Sequence, residues 1–230
     1  MSKARTIAAA ALTAALMTPA LAQAAADRPG PGFEIGARTG YAFAAGRLGA
    51  PPGGVDNDVG DYVSGQLPLW LDVGYRFTGE LYLGGFFQYG FGTINDDRQD
   101  GCRLAGVDCS ASDVRLGVMG RYSLPPIMLA APWLGLGVGY EWGAFSLQLP
   151  NSTTDSSWSG FEFANLQAGA DFHLTPKVAI GPFVSVSLGQ FRSTSTSVTT
   201  GGATNTTDQD LEKKSLHEWI MFGARVAFMP

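Results

Sequence analysis

Few residues in this chain could carry out covalent chemistry, because it contains only two cysteines and two histidines. Cys102 and Cys109 are too far apart for the C-x-x-C spacing of a redox pair, and in an exported protein they are expected to form a structural disulfide. Neither His173 nor His217 has a serine and a carboxylate arranged beside it as nucleophilic catalysis requires. No catalytic residue is therefore predicted, and the chain is expected not to be an enzyme.

Two groups of aspartates could bind a hard cation such as calcium. They are Asp56, Asp58 and Asp61 in one polar segment, and Asp96, Asp97, Asp100 and Asp108 in the next. The first group does not match an EF-hand loop, because Gly60 comes one position early and no glutamate closes the site. We expect solvated loops, with weak divalent-ion binding as the alternative, and predict no metal site and no cofactor.

The overall composition excludes one class of partner and favours one environment. The chain has 15 Lys plus Arg against 20 Asp plus Glu, a net charge of −5, so nucleic acid is not an expected partner. Its 31 glycines, 11% aromatic residues and only 15% charged residues are unusual for a soluble protein and suit closely packed membrane strands.

The N-terminus predicts export. Lys3 and Arg5 precede an alanine-rich uncharged run, and Ala20-Leu21-Ala22 has the form of a signal-peptidase site, although cleavage after Ala26 is also possible. The predicted organisation is a signal peptide at residues 1–22, a short periplasmic segment at residues 23–32 and a membrane domain at residues 33–230.

Alternation of apolar and polar residues predicts the strands of that domain. Leu67 to Phe77 and Leu81 to Phe91 each place apolar side chains on one face, and each arm has the length of a tilted strand crossing a bilayer. The pattern recurs in six more segments: Phe33 to Ala44, Asp113 to Leu124, Trp133 to Phe145, Glu162 to Leu174, Val178 to Phe191 and Leu216 to Phe228.

The connections between these segments alternate in length. Three are short, at Thr78 to Glu80, Pro125 to Pro132 and Thr175 to Lys177; four are long, at Gly46 to Gln66, Gly92 to Ser112, Ser146 to Phe161 and Arg192 to Ser215. Short periplasmic turns and long extracellular loops are typical of outer-membrane barrels. We predict an all-β, eight-stranded antiparallel up-and-down transmembrane β-barrel, with a mobile fourth loop because Ser193 to Thr207 is almost entirely Ser, Thr, Gly and Asn.

The signal peptide, the eight strands and a final strand carrying Ile220, Phe222, Val226 and Phe228 together resemble the OmpA/OmpX/OmpW-like outer-membrane β-barrel family. Met229 and Pro230 follow the last aromatic residue, which departs from the family's terminal aromatic position. The resemblance implies a place in the bacterial outer membrane among its lipids and lipopolysaccharide, and insertion by the barrel-assembly machinery. It names no partner for the loops.

Strand parity predicts which side chains face the lumen. The inward charged residues form a balanced set of five acids and five bases: Glu34, Asp72, Glu80, Glu141 and Asp171 with Arg38, Arg76, Arg115, Arg121 and Arg225. Equal numbers of both signs in a narrow barrel favour mutual pairing and a sealed lumen. The inward aromatics Trp70, Phe86, Phe191 and Trp219 would plug the mouth or line a small pocket.

Two functions follow from this pattern. The first is a structural or surface-interaction role through the extracellular loops. The alternative is a narrow channel or binding pocket for small apolar solutes.

Overall fold

A computed structural model describes residues 30–94, 102, 104 and 106–230. The predicted signal peptide, residues 1–22, lies outside the described residues, as does most of the segment 23–32, and both stay predictions. Asp96, Asp97 and Asp100 of the second acidic group also lie outside the described residues.

Apart from one turn of 3₁₀ helix at Val59–Asp61, the regular elements described are antiparallel strands. Their bounds are β1 Gly32–Gly46, β2 Val63–Arg76, β3 Leu81–Ile94, β4 Asp108–Ser123, β5 Ala131–Leu149, β6 Ser152–Thr175, β7 Val178–Thr200, β8 Ala203–Asp210 and β9 Leu216–Phe228. The described residues include no helix that is both long and apolar enough to cross a membrane.

Eight of these strands close into a ring. Strands β1 to β7 pair in sequence, and β9 lies between β7 and β1, where Arg225 is opposite Arg38 and Phe228 is opposite Ile35. Strand β8 pairs with the last eight residues of β7, Ser193 to Thr200, and lies outside the ring. The predicted eight-stranded antiparallel barrel is confirmed.

The apolar face of the strands points outward, as a lipid-facing barrel requires. Leu69, Leu71 and Val73 are each more than half exposed, whereas Trp70 and Asp72 between them are about 1% exposed. Outward aromatic pairs lie at both ends of the wall, with Phe33 against Tyr75 at the short-turn end and Tyr89 against Phe91 at the loop end.

The third and fourth connections differ from the prediction of long loops. Strands β5 and β6 continue to a turn at Pro150 and Asn151. The fourth segment is a hairpin of β7 and β8 rather than a mobile loop, and its Gly201 and Gly202 both have positive φ, which matches a type I′ turn. Backbone hydrogen bonds between two stretches rich in serine and threonine form this hairpin. Because the side chains of both stretches are mostly polar, the sequence shows no alternation of apolar and polar residues there.

Candidate functional site

The short-turn half of the lumen contains a buried charged group, here called the lower cluster: Glu34, Arg38, Asp72, Arg76, Arg121, Asp171 and Arg225. The Glu34 carboxylate, with no exposed surface, accepts hydrogen bonds from Arg76, Arg121 and Arg225. Arg225 also donates to Asp171 at 2.6 Å. Because β9 adjoins β1 in the ring, Arg225 and Glu34 meet across the closure of the barrel.

Arg38 crosses the middle of the lumen from β1. Its Nε donates to Asp72 on β2 at 2.8 Å, and its Nη1 donates to Gln167 on β6 at 2.6 Å. The guanidinium also lies 4.9 Å from the ring centre of Trp70 and 5.5 Å from that of Trp133, within cation–π range. Arg38 therefore links opposite walls and fills the space between them.

A second charged group lies in the loop-end half and is called the upper cluster: Asp113, Arg115, Glu141, Glu162 and His217. Arg115 is its centre, with its Nε 2.8 Å from Asp113, Nη2 3.2 Å from Glu141 and Nη1 3.3 Å from Glu162. His217 Nε2 lies 2.8 Å from Glu141, and the Trp219 indole donates to the same carboxylate at 3.0 Å.

Above the upper cluster is a partly enclosed cavity of about 450 Å³, here called the outer recess, whose volume includes the part open to solvent. Its floor is polar, with Gln66, Asp113 and Glu141, and its walls are mainly apolar. The wall residues are Leu48, Val59, Tyr62, Val63, Gly92, Ser112, Gly143, Ala144, Phe145, Trp158, Phe191 and Trp219.

The four predicted plug or pocket aromatics do not form one group. Trp70 and Phe86 pack together at 4.8 Å between ring centres, beside Arg38 in the middle of the lumen. Phe191 and Trp219 line the outer recess, and Phe191 stacks on His217 at 4.2 Å. Two therefore fill the lumen, and two border a cavity.

Two lumen carboxylates, Asp113 and Glu162, are absent from the set that strand parity predicts. Alternation in the sequence puts Asp113 at the very end of its strand, whereas β4 begins at Asp108 and holds Asp113 well inside the barrel. Glu162 turns inward because the register of β6 shifts between Glu162 and Ala164, which reverses the parity above that point. A bulge of this kind has no clear signal in the sequence.

One predicted lumen residue lies elsewhere. Parity assigns Glu80 to the lumen end of a strand, but β2 ends at Arg76 and β3 begins at Leu81. Glu80 is therefore part of the turn, where it is half-buried and its carbonyl accepts a hydrogen bond from the Ser123 amide.

The first long connection covers the recess. Leu48 and Val59 of this segment are buried and line the cavity, and Ala50 pairs with Lys213 in the segment between β8 and β9. Asp56 fixes the segment by accepting hydrogen bonds from Gly49 N at 3.0 Å and Ser215 Oγ at 2.8 Å, and its carboxylate lies 2.9 Å from Lys213 Nζ. Asp56 is thus a structural anchor and not part of a solvated acidic loop.

The ionisation of Asp56 follows from these contacts. Burial acts to raise its pKa, but the hydrogen bonds from Lys213, Ser215 and Gly49 outweigh that effect and hold the pKa of Asp56 below its ordinary value. Cys102 and Cys109 form the expected disulfide, which ties residue 102 to the start of β4.

Comparison with solved structures shows the fold. A major outer membrane protein of Thermus thermophilus is 12% identical over 86% of this chain and 98% of its own, with a TM-score of 0.62. Neisserial surface protein A is 14% identical over 87% and 99% of the two chains with a TM-score of 0.44, and OprG of Pseudomonas aeruginosa is 14% identical over 88% and 99% with a TM-score of 0.43. The search of curated protein sequences gives no match.

The likeness to the Thermus thermophilus protein confirms the predicted barrel fold. The predicted outer-membrane location is confirmed together with the family match given below. The short-turn end of the ring is therefore periplasmic and the loop end extracellular. The sequence itself matches the family model described as Autotransporter beta-domain over residues 70–216, more than half of the chain. The chain is an outer-membrane β-barrel with a buried charged network, and it belongs to the autotransporter beta-domain family.

Proposed function

We propose that the protein is a non-catalytic surface-interaction barrel, whose filled lumen anchors an extracellular sheet that binds a partner along its free edge. The observation that carries this proposal is the unequal length of the strands. Strands β1, β2, β3 and β9 have 13 to 15 residues, whereas β5 has 19, β6 has 24 and β7 has 23. About eight extra residues correspond to roughly 25 Å of additional strand.

The added length forms an open sheet rather than a closed ring. Among the described residues, β8 pairs with β7 alone, and all eight of its side chains are exposed. One edge of β8 therefore presents backbone amides and carbonyls to the outside. Such an edge can accept an extended segment of another chain as an additional strand, with backbone hydrogen bonds supplying most of the affinity.

The edge strand also favours a particular kind of partner. Asp208 and Asp210 are its only charged side chains, and the remaining positions are Ala, Thr, Asn and Gln. A basic extended segment would place lysine or arginine opposite the two aspartates, and electrostatic attraction would increase its rate of association. The lumen supports the same function. Arg38 and the rest of the lower cluster fill it, so the extracellular sheet is the part of the protein that meets other molecules.

A role without catalysis is supported by the contacts of His217. Its Nε2 is engaged by Glu141 and its ring stacks on Phe191, so these contacts hold the imidazole within the charged network.

Assembly by the barrel-assembly machinery is part of the proposal and is supported by the outward Phe222, Val226 and Phe228 on β9, which face lipid.

The proposal can be tested by shortening the hairpin. Ser195 and Asp208 are opposite each other, so deleting 196–200 and 203–207 keeps Gly201-Gly202 as the turn and preserves the register. Extended peptides selected from a random display library on the wild-type barrel should be rich in lysine or arginine and should lose binding to the shortened barrel.

A matched control separates the backbone edge from its side chains. Asn205→Ser alters one exposed side chain of β8 without removing the strand, so it should retain peptide binding. Selected peptides that bind the wild-type and shortened barrels equally would show that the edge is not the binding surface.

A further inference from the structure

The two charged clusters of the lumen are not balanced individually. Counting the described residues, the lower cluster has four arginines against three carboxylates, whereas the upper cluster has three carboxylates against one arginine and one histidine. Asp113, Glu141 and Glu162 are each at most 4% exposed. Surplus negative charge buried in this way is costly unless a proton or another cation neutralises it.

The surplus lies directly beneath the outer recess. Asp113 and Glu141 belong to both the upper cluster and the floor of the recess, and the Gln66 amide beside them donates to Asp113 Oδ2 at 3.2 Å. Asp113 Oδ1 and Gln66 Oε1 are buried oxygens that have no hydrogen-bond partner among the described residues. The floor therefore holds acceptors and negative charge just beneath the surface of the cavity, where a group that donates hydrogen bonds and carries positive charge would neutralise them.

The walls favour an organic cation over a metal ion. Tyr62, Phe145, Trp158, Phe191 and Trp219 surround the cavity, with Tyr62 5.6 Å from Phe145 and 5.4 Å from Trp158 between ring centres. Aromatic faces attract ammonium groups through cation–π interaction, whereas calcium or magnesium would need oxygen ligands on the sides that these rings occupy.

The size of the recess limits the ligand. The depression measures about 450 Å³, including the part open to solvent. This space suits an ammonium head group with a short alkyl chain. The lining comes from the first long connection and from residues toward the loop ends of the strands, so the recess lies at the extracellular end of the lumen.

We propose that the outer recess binds the ammonium group of a small organic amine, with Asp113 and Glu141 as charge partners and the aromatic side chains as its walls. This binding site is additional to the edge of the extracellular sheet and does not depend on it. The ligand binds without passing through the barrel, because the upper cluster and Arg38 lie beneath it.

The test uses the barrel refolded in an amine-free detergent and titrated with propylammonium chloride, with 1-propanol and sodium chloride as matched controls. Two-dimensional NMR follows the indole N–H of Trp219 and the amides of Gly143 and Ala144. Propylammonium should cause saturable shifts at these groups, and 1-propanol should bind at least about tenfold more weakly because it lacks the charge. Equal shifts with 1-propanol, or shifts that do not saturate, would overturn the proposal.

Variants localise the effect. Asp113→Asn should weaken propylammonium binding at least about tenfold, because it removes a charge partner. Trp158→Leu removes an aromatic wall without changing the charged cluster and should also weaken binding, so the proposal stays testable if the Asp113 variant does not fold. Asp155→Asn changes an exposed carboxylate and should bind as the wild type does. Wild-type affinity in both recess variants would refute the site.

Discussion

At the scale of single residues, Glu34 has the largest electrostatic role in the lower cluster. One fully buried carboxylate is shared by the guanidinium groups of Arg76, Arg121 and Arg225, and Arg225 also pairs with a second acid, Asp171. Glu34→Gln keeps the shape of the side chain and removes its charge, so three buried cations lose their common partner. We expect the free energy of unfolding to fall by about 3 to 5 kcal/mol.

Reversible urea unfolding in lipid vesicles measures this change. Glu212→Gln is the matched control, because it makes the same substitution at an exposed site in the connection between β8 and β9, and it should change stability by less than about 0.5 kcal/mol. A loss at Glu34 no larger than at Glu212 would show that the three arginines are accommodated without it.

Strand parity in the sequence could predict that many of these residues face the lumen, but not which of them are in contact with one another. A regular strand alternates strictly, so Arg38 and Asp72 could be assigned to the lumen from neighbouring segments, and they are in contact in the structure. Parity fails at the shift in β6, which brings Glu162 to Arg115, and at the turn that holds Glu80. Strict alternation therefore cannot reveal the surplus of acid in the upper cluster.

At the scale of elements, the first long connection depends on the ionisation of Asp56. Its folded pKa lies below the ordinary value of 3.8, so the contacts of the carboxylate stabilise the closed segment above that pH. This stabilisation is lost as the pH falls through the lowered folded value. We therefore expect the segment over the recess to loosen in acid while the barrel stays folded.

Hydrogen exchange of the Gly49 and Ala50 amides, compared at about pH 6 and about pH 2.5 after correction for intrinsic rates, checks this expectation. Protection should fall in acid in the wild type. Asp56→Asn should show low protection at both pH values, and Asp208→Asn, at an exposed site on β8, should behave as the wild type does. Equal protection of the wild type in both conditions would contradict the anchoring role.

The membrane part of each strand could be predicted because one face meets lipid and the other meets the packed side chains of the lumen. Apolar residues therefore occupy alternate positions, as Leu69, Leu71 and Val73 do. That constraint ends at the membrane surface. Beyond it, neither face of Ser152 to Ser157 or of Ser193 to Thr200 meets lipid, so these stretches show no apolar alternation although they are paired strands. Their polar composition suggests loops for that reason.

At the scale of the whole molecule, the contents of the barrel are arranged in layers. Within the lower cluster, Glu34 and the three arginines around it lie nearest the periplasm, and Arg38 lies in the middle of the lumen with Trp70, Phe86 and Trp133. The upper cluster separates this layer from the outer recess. Side chains fill the interior of a barrel of this size. A filled interior and an extended extracellular sheet are the two observations that support the proposed recognition at the outer surface.

Planar-bilayer recording tests whether the lumen conducts. The wild type should give no reproducible open-channel steps, because the Arg38 guanidinium joins Asp72 and Gln167 across the lumen and packs against the rings of Trp70 and Trp133. The double variant Arg38→Ala with Asp72→Asn removes this link without leaving a lone carboxylate, and any conductance gained should appear there first. Reproducible steps from the wild type, altered in the double variant, would show instead that ions pass through the middle of the barrel.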